Sequence, residues 1–147
     1  MTWNYEHSVE TTASAAELWQ RWSDIPSWPR WNAGIRAIEV DGPFAVGTTF
    51  TMTPPDGDPV TLQLTEIVPG RIFTDEADGG EFVVRTEHRL DPLPGGRTRV
   101  MYRTEILGPA AAQIGPEIGP VITADFPEVL SALVALAESA DNSHERQ

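Results

Sequence analysis

The sequence predicts an α+β chain: seven antiparallel strands in one sheet, two short helices after the first strand, and a long C-terminal helix. Three observations predict it. Six strand-like runs follow one another from Ile35 to Leu107 with only short turn signals between them. A strand, a capped helix and a tryptophan-rich turn precede them. After Leu107 the apolar spacing changes from that of a strand to that of a helix.

In order, Asn4 to Thr11 alternates and suits a first strand. Ser14-Ala15-Ala16-Glu17 matches a capping box, in which serine accepts from the first turn and glutamate reaches back. The helix should run from Ala15 to Ser23 and bury Leu18, Trp19 and Trp22. Asp24 to Trp31 holds two prolines and two tryptophans and reads as a short helical turn or a packed loop. The later strands are expected at Ile35 to Val40, Thr48 to Thr53, Val60 to Val68, Arg71 to Glu76, Glu81 to Leu90 and Thr98 to Leu107. Links as short as Pro69-Gly70 and Asp78-Gly79-Gly80 make successive strands antiparallel neighbours, a meander. No linker interrupts them, so residues 1–140 are expected to be one domain and 141–147 a frayed polar tail.

The C-terminal element, Ala110 to Ala140, has two halves. Phe126, Val129, Leu130, Leu133, Leu136 and Ala137 fall on one helical face. Upstream, Ile114-Gly115-Pro116-Glu117-Ile118-Gly119-Pro120-Val121-Ile122 keeps isoleucines on that face but is broken twice by Gly-Pro. A proline inside a helix costs roughly 3 kcal/mol or more. The expectation is one long helix with a stiff end and a kinked front. The alternative is a loop followed by a shorter helix with Pro127 in its first turn, where proline is tolerated.

The chain has 147 residues and a net charge of −12, and every basic residue is arginine. Such a surface repels nucleic acid and anionic membranes, since affinity for both rests on basic groups. There is no cysteine, which excludes disulfides and thiolate metal sites. His7, His88 and His144 are far apart in sequence and no HExxH occurs, so no metal site is expected. No apolar run approaches the roughly 20 residues of a membrane span, and no basic start with an apolar stretch marks a signal peptide. The expected compartment is the cytoplasm and the expected state a monomer or homodimer.

The last two strands fix their own register. A pairing that closes the loop from Leu93 to Arg97 sets Asp91 against Arg99, Glu87 against Arg103 and Arg85 against Glu105 on one face. It sets Leu90 against Val100 and Val84 against Ile106 on the other. A one-residue slip would oppose apolar and charged side chains. The same register places His88 opposite Tyr102 and Thr86 opposite Thr104, all facing inward. This polar patch is either a His–Tyr hydrogen bond that pins the core or a site of chemistry. Asp75 turns inward if its strand continues with the alternation of Phe73. If the strand frays first, Asp75, Glu76 and Asp78 are simply solvated.

Four motifs now carry a resemblance. These are Asp24 through Trp31 (a D-x(6)-W run), Asp41-Gly42-Pro43-Phe44 with Gly47, Leu64-Thr65-Glu66-Ile67-Val68-Pro69, and Gly95-Gly96-Arg97-Thr98-Arg99-Val100. Their order over Asn4 to Glu138 resembles the START/polyketide cyclase-like superfamily (SRPBCC), most of all its small bacterial polyketide cyclase/dehydrase group. The resemblance implies a helix-grip fold, in which the sheet curls around the long C-terminal helix and two short helices close one end. It also implies a deep apolar cavity between sheet and helix for a hydrophobic small molecule. It does not bring a universal catalytic motif.

Two functions follow as expectations. One is an enzyme of secondary metabolism that promotes cyclisation, aldol condensation or dehydration without a cofactor. His88 would be general acid/base, Tyr102 would orient it or donate to an oxyanion, and Asp75 would be a second base. The other is a carrier of lipid or another hydrophobic ligand with no turnover. Thr86 and Thr104 would position the ligand. Trp28 and Trp31 wall the mouth or belong to the core. Phe50, Met52, Phe73, Val84 and Val100 would line the sheet side of the cavity. Ile114, Ile118, Val121 and Ile122 would line the helix side, where the Gly-Pro breaks would form a gate.

Overall fold

The computed structural model describes residues 3–145. Strand β1 spans Trp3–Thr11 and helix α1 spans Ala15–Ser23. Ser14 Oγ accepts from the Glu17 N–H at 3.1 Å and so satisfies one free donor of the first turn. Glu17 does not reach back to complete the box. Its carboxylate takes Arg21, one turn on, at 2.6 Å, a charged donor that outbids a neutral backbone N–H. α1 buries Leu18 and Trp22, while Trp19 is half-buried against Phe44 and Phe73. Ile25–Arg30 is a 3-10 helix. It is tied to α1 by Trp28 Nε1, which donates to the Trp22 carbonyl at 3.1 Å.

The remaining strands are β2 (Ala37–Val40), β3 (Thr49–Thr53), β4 (Val60–Val68), β5 (Ile72–Asp78), β6 (Val83–Leu93) and β7 (Arg97–Leu107). All seven form one antiparallel sheet in the order β1-β7-β6-β5-β4-β3-β2. The meander is as expected, and β1 closes it by pairing with β7. The β6–β7 register is also as expected, with His88 opposite Tyr102, Thr86 opposite Thr104 and Leu90 opposite Val100. The ladder runs on to Leu93 and Arg97, so the loop is shorter than expected. Pro94-Gly95-Gly96 closes it because Gly95 and Gly96 adopt φ of 81° and 77°, a region that side chains disfavour.

The outer-face charges pair sideways rather than across β6–β7. Arg85 bonds Glu76 of β5 at 2.8 Å and Arg103 bonds Glu6 of β1 at 3.1 Å. Each of these partners is directly opposite on the other neighbouring strand, so a central-strand arginine had two acidic choices and took the outer one.

The C-terminal element is two helices, α2 (Ala111–Thr123) and α3 (Phe126–Glu145). The expected long helix is there, in two consecutive segments that meet at Ala124 and Asp125: Ala124 keeps helical φ and ψ of −57° and −32°, while Pro127 has no N–H to carry the ladder across. Pro116 and Pro120 do not stop α2; both lie on its exposed face. The packed face of α2 is not the isoleucine face. It is Ala111, Gly115, Gly119 and Thr123. A Cβ at Gly115 would lie 2.5 Å from Trp3 Cβ, and one at Gly119 would lie 2.5 Å from the Trp3 indole. The glycines are there to let α2 lie on Trp3 of β1.

α3 packs against α1 and β1 through Phe126, Val129, Leu130, Leu133 and Ala137, all buried. Leu136, expected on that face, is only half-buried. The helix continues past Ala140 to Glu145; Arg146 and Gln147 of the expected tail lie outside the described residues. By length and composition the stretch Ala111–Ala140 could cross a membrane, although, as the sequence indicates, it contains no apolar run of about 20 residues. Its small residues and spaced apolar side chains raise the mean hydropathy without any uninterrupted run, and it serves as the core helix of the fold. The arrangement is a helix grip: α1 and α3 fill the end of the sheet at Leu90 and Val100, and the end at Ala77 and Val84 stays open.

Candidate functional site

That open end is a cavity of about 740 Å³ between the sheet and the α2–α3 junction. Alternation on three neighbouring strands delivers its polar floor: Asp75 from β5, Thr86 and His88 from β6, and Tyr102 from β7. Trp28, Trp31, Met52, Phe73 and Val84 form the apolar walls, with Phe126 and Val129 opposite them on α3. The mouth lies where exposed lining residues gather: Gly34, Gly79, Glu117, Val121 and Ile122.

β5 does not fray before Asp75; it runs to Asp78 and carries Asp75 inward to 4% exposure. Asp75 forms no hydrogen bond among the described residues. His88 Nε2 lies 3.9 Å from its Oδ2, too far for a hydrogen bond. Burial pushes the Asp75 carboxyl up to about 8, with the Glu76 charge adding to the effect. The same burial pushes His88 down to about 3, against a backbone hydrogen bond that favours its protonation. The pair at neutral pH is therefore a carboxylic acid beside a neutral imidazole.

The tautomer of His88 follows from its contacts. Nδ1 lies 3.1 Å from the Phe73 carbonyl, an acceptor, so Nδ1 carries the proton and Nε2 presents a lone pair. The ring also stacks on Phe73 with centroids 3.8 Å apart and 5° between planes. Of the two readings of this patch, the His88–Tyr102 hydrogen bond is not formed among the described residues. Trp22 Nε1 donates to Tyr102 Oη at 3.2 Å, and the two rings of the opposed pair meet edge to face instead. Tyr102 Oη keeps its own proton to give, because burial raises its pKa well above the usual phenol value.

The cavity gathers most of the expected side chains but not all. Trp28, Trp31, Met52, Phe73, Val84, Thr86, Ile118, Val121 and Ile122 line it together with Asp75, His88 and Tyr102. Four do not. Phe50 is fully buried behind Trp28, edge to face with it. Val100 faces inward but lies at the filled end, opposite Leu90 and Val9. Thr104 is fully buried, with Oγ1 at 2.9 Å from Thr86 Oγ1, so it braces Thr86. Ile114 is one turn too near the start of α2. The sequence does not single out Glu117, Asp125, Phe82, Phe126 and Val129 as lining residues, and all five line the cavity. Asp125 sits at the break between helices, where periodicity gives no direction; its carboxyl is raised by partial burial.

The family described as polyketide cyclase/dehydrase and lipid transport matches residues 2–138. No curated protein matches the sequence. Among solved structures, norcoclaurine synthase from Thalictrum flavum in complex with dopamine and hydroxybenzaldehyde superposes with a TM-score of 0.77 at 18% identity, covering 95% of this chain and 88% of that one. The di-domain ARO/CYC StfQ from the steffimycin biosynthetic pathway gives 0.77 at 13% identity, covering 97% of this chain and 52% of that one. A START superfamily protein from Mycobacterium smegmatis gives 0.75 at 14% identity, over 94% and 99%. At these identities the likeness is one of fold.

Proposed function

The chain belongs to the polyketide cyclase/dehydrase and lipid transport family, and on that footing we propose that it is a cofactor-independent acid–base enzyme. Its substrate is a hydrophobic molecule with an enolisable carbonyl, and its reaction a cyclisation, aldol condensation or dehydration. The observation that carries this reading is the Asp75–His88 pair: a neutral acid and a neutral base 3.9 Å apart, both facing an apolar cavity.

The geometry suits a concerted proton movement. His88 Nε2 takes the proton from the carbon next to the carbonyl, and Asp75 or Tyr102 gives one to the carbonyl oxygen. Where Asp75 gives the proton, an imidazolium and a carboxylate form side by side, so the apolar cavity gains no net charge. The enol carbon then bonds to a second carbonyl carbon of the folded substrate; the new oxygen takes the proton from His88, and the enol oxygen returns its proton to Asp75 as its carbonyl re-forms. For dehydration, His88 Nε2 takes the remaining α-proton, and the β-hydroxyl takes the proton of the re-protonated Asp75 and leaves as water as the double bond forms. The walls hold a flexible chain in reactive geometry, which supplies much of the rate gain. A covalent lysine imine is not available, because the chain has no lysine.

A second reading, a carrier without turnover, has an observation of its own. Val121 and Ile122 at the mouth are 77% and 36% exposed, which suits a ligand collected from an apolar phase. Proton exchange separates the two. In heavy water, the enzyme reading expects accelerated α-hydrogen exchange of a hydrophobic aryl ketone, followed by NMR. His88→Ala and Asp75→Asn should each lower it by about a hundredfold or more. Exchange no faster than in buffer, or unchanged in both variants, leaves the carrier.

A further inference from the structure

The charged side chains that line the cavity are Asp75, Asp78, Glu117 and Asp125. All are acidic. Among the described residues no arginine lines it, and none of these four pairs with one. The arginines that do pair bond Glu17, Asp91, Glu76, Glu87, Glu10, Glu6 and Glu105 instead. Asp75 is the deepest of the four, 4% exposed, without a hydrogen bond, and facing the cavity space.

A buried carboxyl without a partner is a cost to the free protein. A ligand with a cationic group removes it, because the neutral acid gives up its proton and pairs as a carboxylate with the cation; one with a carboxylate or phosphate brings a charge that no cation in the cavity compensates. The walls agree, since the faces of rings such as Trp28 and Tyr102 attract cations and repel anions. We propose that the ligand of this cavity is a hydrophobic amine: an ammonium group seated at Asp75, an apolar body along the aromatic walls, and the acidic mouth drawing it in. This rests on the cavity being the ligand site; it holds for the carrier, and for the enzyme with Tyr102 as the group that gives the proton to the carbonyl oxygen. Fatty acids and phospholipids with a net negative charge are then disfavoured by charge, not by size.

The test is a matched series at neutral pH: n-decylamine, n-decanol and n-decanoate, titrated calorimetrically into the full chain. The expected order is amine, alcohol, carboxylate, with the amine ahead of the alcohol by about tenfold or more, the factor 1.4 kcal/mol of pairing supplies. Asp75→Asn, similar in shape and unable to give up a proton to pair with the ammonium, should erase the amine preference and keep alcohol binding. Decanoate binding as tightly as the amine overturns the proposal, and so does an amine preference that survives Asp75→Asn, which would be surface attraction to an acidic protein. If the alcohol and the acid bind but the amine does not, this inference alone fails. If none of the three binds, the cavity is not a ligand site and the functional reading falls with it.

Discussion

His88 Nε2 and Asp75 Oδ2 lie 3.9 Å apart as diagonal neighbours on adjacent strands. Neither is the direct partner of the other: Asp75 opposes Thr86, and His88 opposes Phe73. The diagonal gap leaves both groups facing the cavity without bonding each other, and it sets how the protein responds to pH.

The sign of that response can be worked out. Asp75 rises from an ordinary 3.8 to about 8, so its contribution is full below 3.8 and lost as pH climbs to 8. His88 falls from 6.5 to about 3, so its contribution is full above 6.5 and lost as pH falls to 3. Between 3.8 and 6.5 the two slopes oppose and cancel. Stability should therefore be flat across that window, then fall by about 1.4 kcal/mol per pH unit from 6.5 to 8. In Asp75→Asn the decline above 6.5 should vanish. Urea unfolding at a series of pH values checks both curves; an unchanged decline in the variant contradicts the assignment.

The bond from Trp22 Nε1 to Tyr102 Oη joins α1 to the floor of the cavity. Tyr102→Phe removes the acceptor and leaves a buried indole N–H unpaired, at a cost of about 1–3 kcal/mol. Denaturant unfolding measures it. A loss under about 0.5 kcal/mol, within the range of surface changes, would mean that the indole finds another acceptor.

Much of this was legible in advance because strands with one buried face specify themselves. The β6–β7 register followed from Leu90, Val84 and the alternating charges, and it placed His88, Thr86 and Tyr102 on one face. What the register did not carry was the partner of each polar atom. Tyr102 was assigned to His88 across the ladder, yet a tryptophan from a helix far away in sequence took its oxygen. Two distant elements meet there, and no local pattern reports that. The front of the C-terminal helix was misread for another reason. Gly115 and Gly119 looked like interruptions, whereas they are the contact surface, and only the position of Trp3 shows it.

That contact makes a prediction opposed to helix propensity. In an open helix, Gly→Ala stabilises by about 1 kcal/mol. At Gly119 the added methyl meets the Trp3 ring, so Gly119→Ala should destabilise, by roughly 1–3 kcal/mol as an overpacked site does. Thermal unfolding decides the sign, and a raised midpoint would show that Trp3 does not rest on this helix.

α2 holds two prolines and an exposed outer face, while α3 is anchored by Leu130 and Leu133 at full burial. α2 is thus the element most able to open for a ligand. Hydrogen exchange should be faster for the amides from Ile114 to Ile122 than for those from Val129 to Leu136. Equal protection would remove the gate and require entry elsewhere along the mouth.

The central claim, that the cavity is where this protein meets its ligand, has a direct measurement in intermolecular NOEs to bound n-decanol. The account predicts cross-peaks from the decanol methylenes to the methyls of Val84, Thr86 and Ile118 and to the ring of His88. Cross-peaks confined to the exposed methyls of Val46 and Val68, which lie outside the cavity, would contradict it.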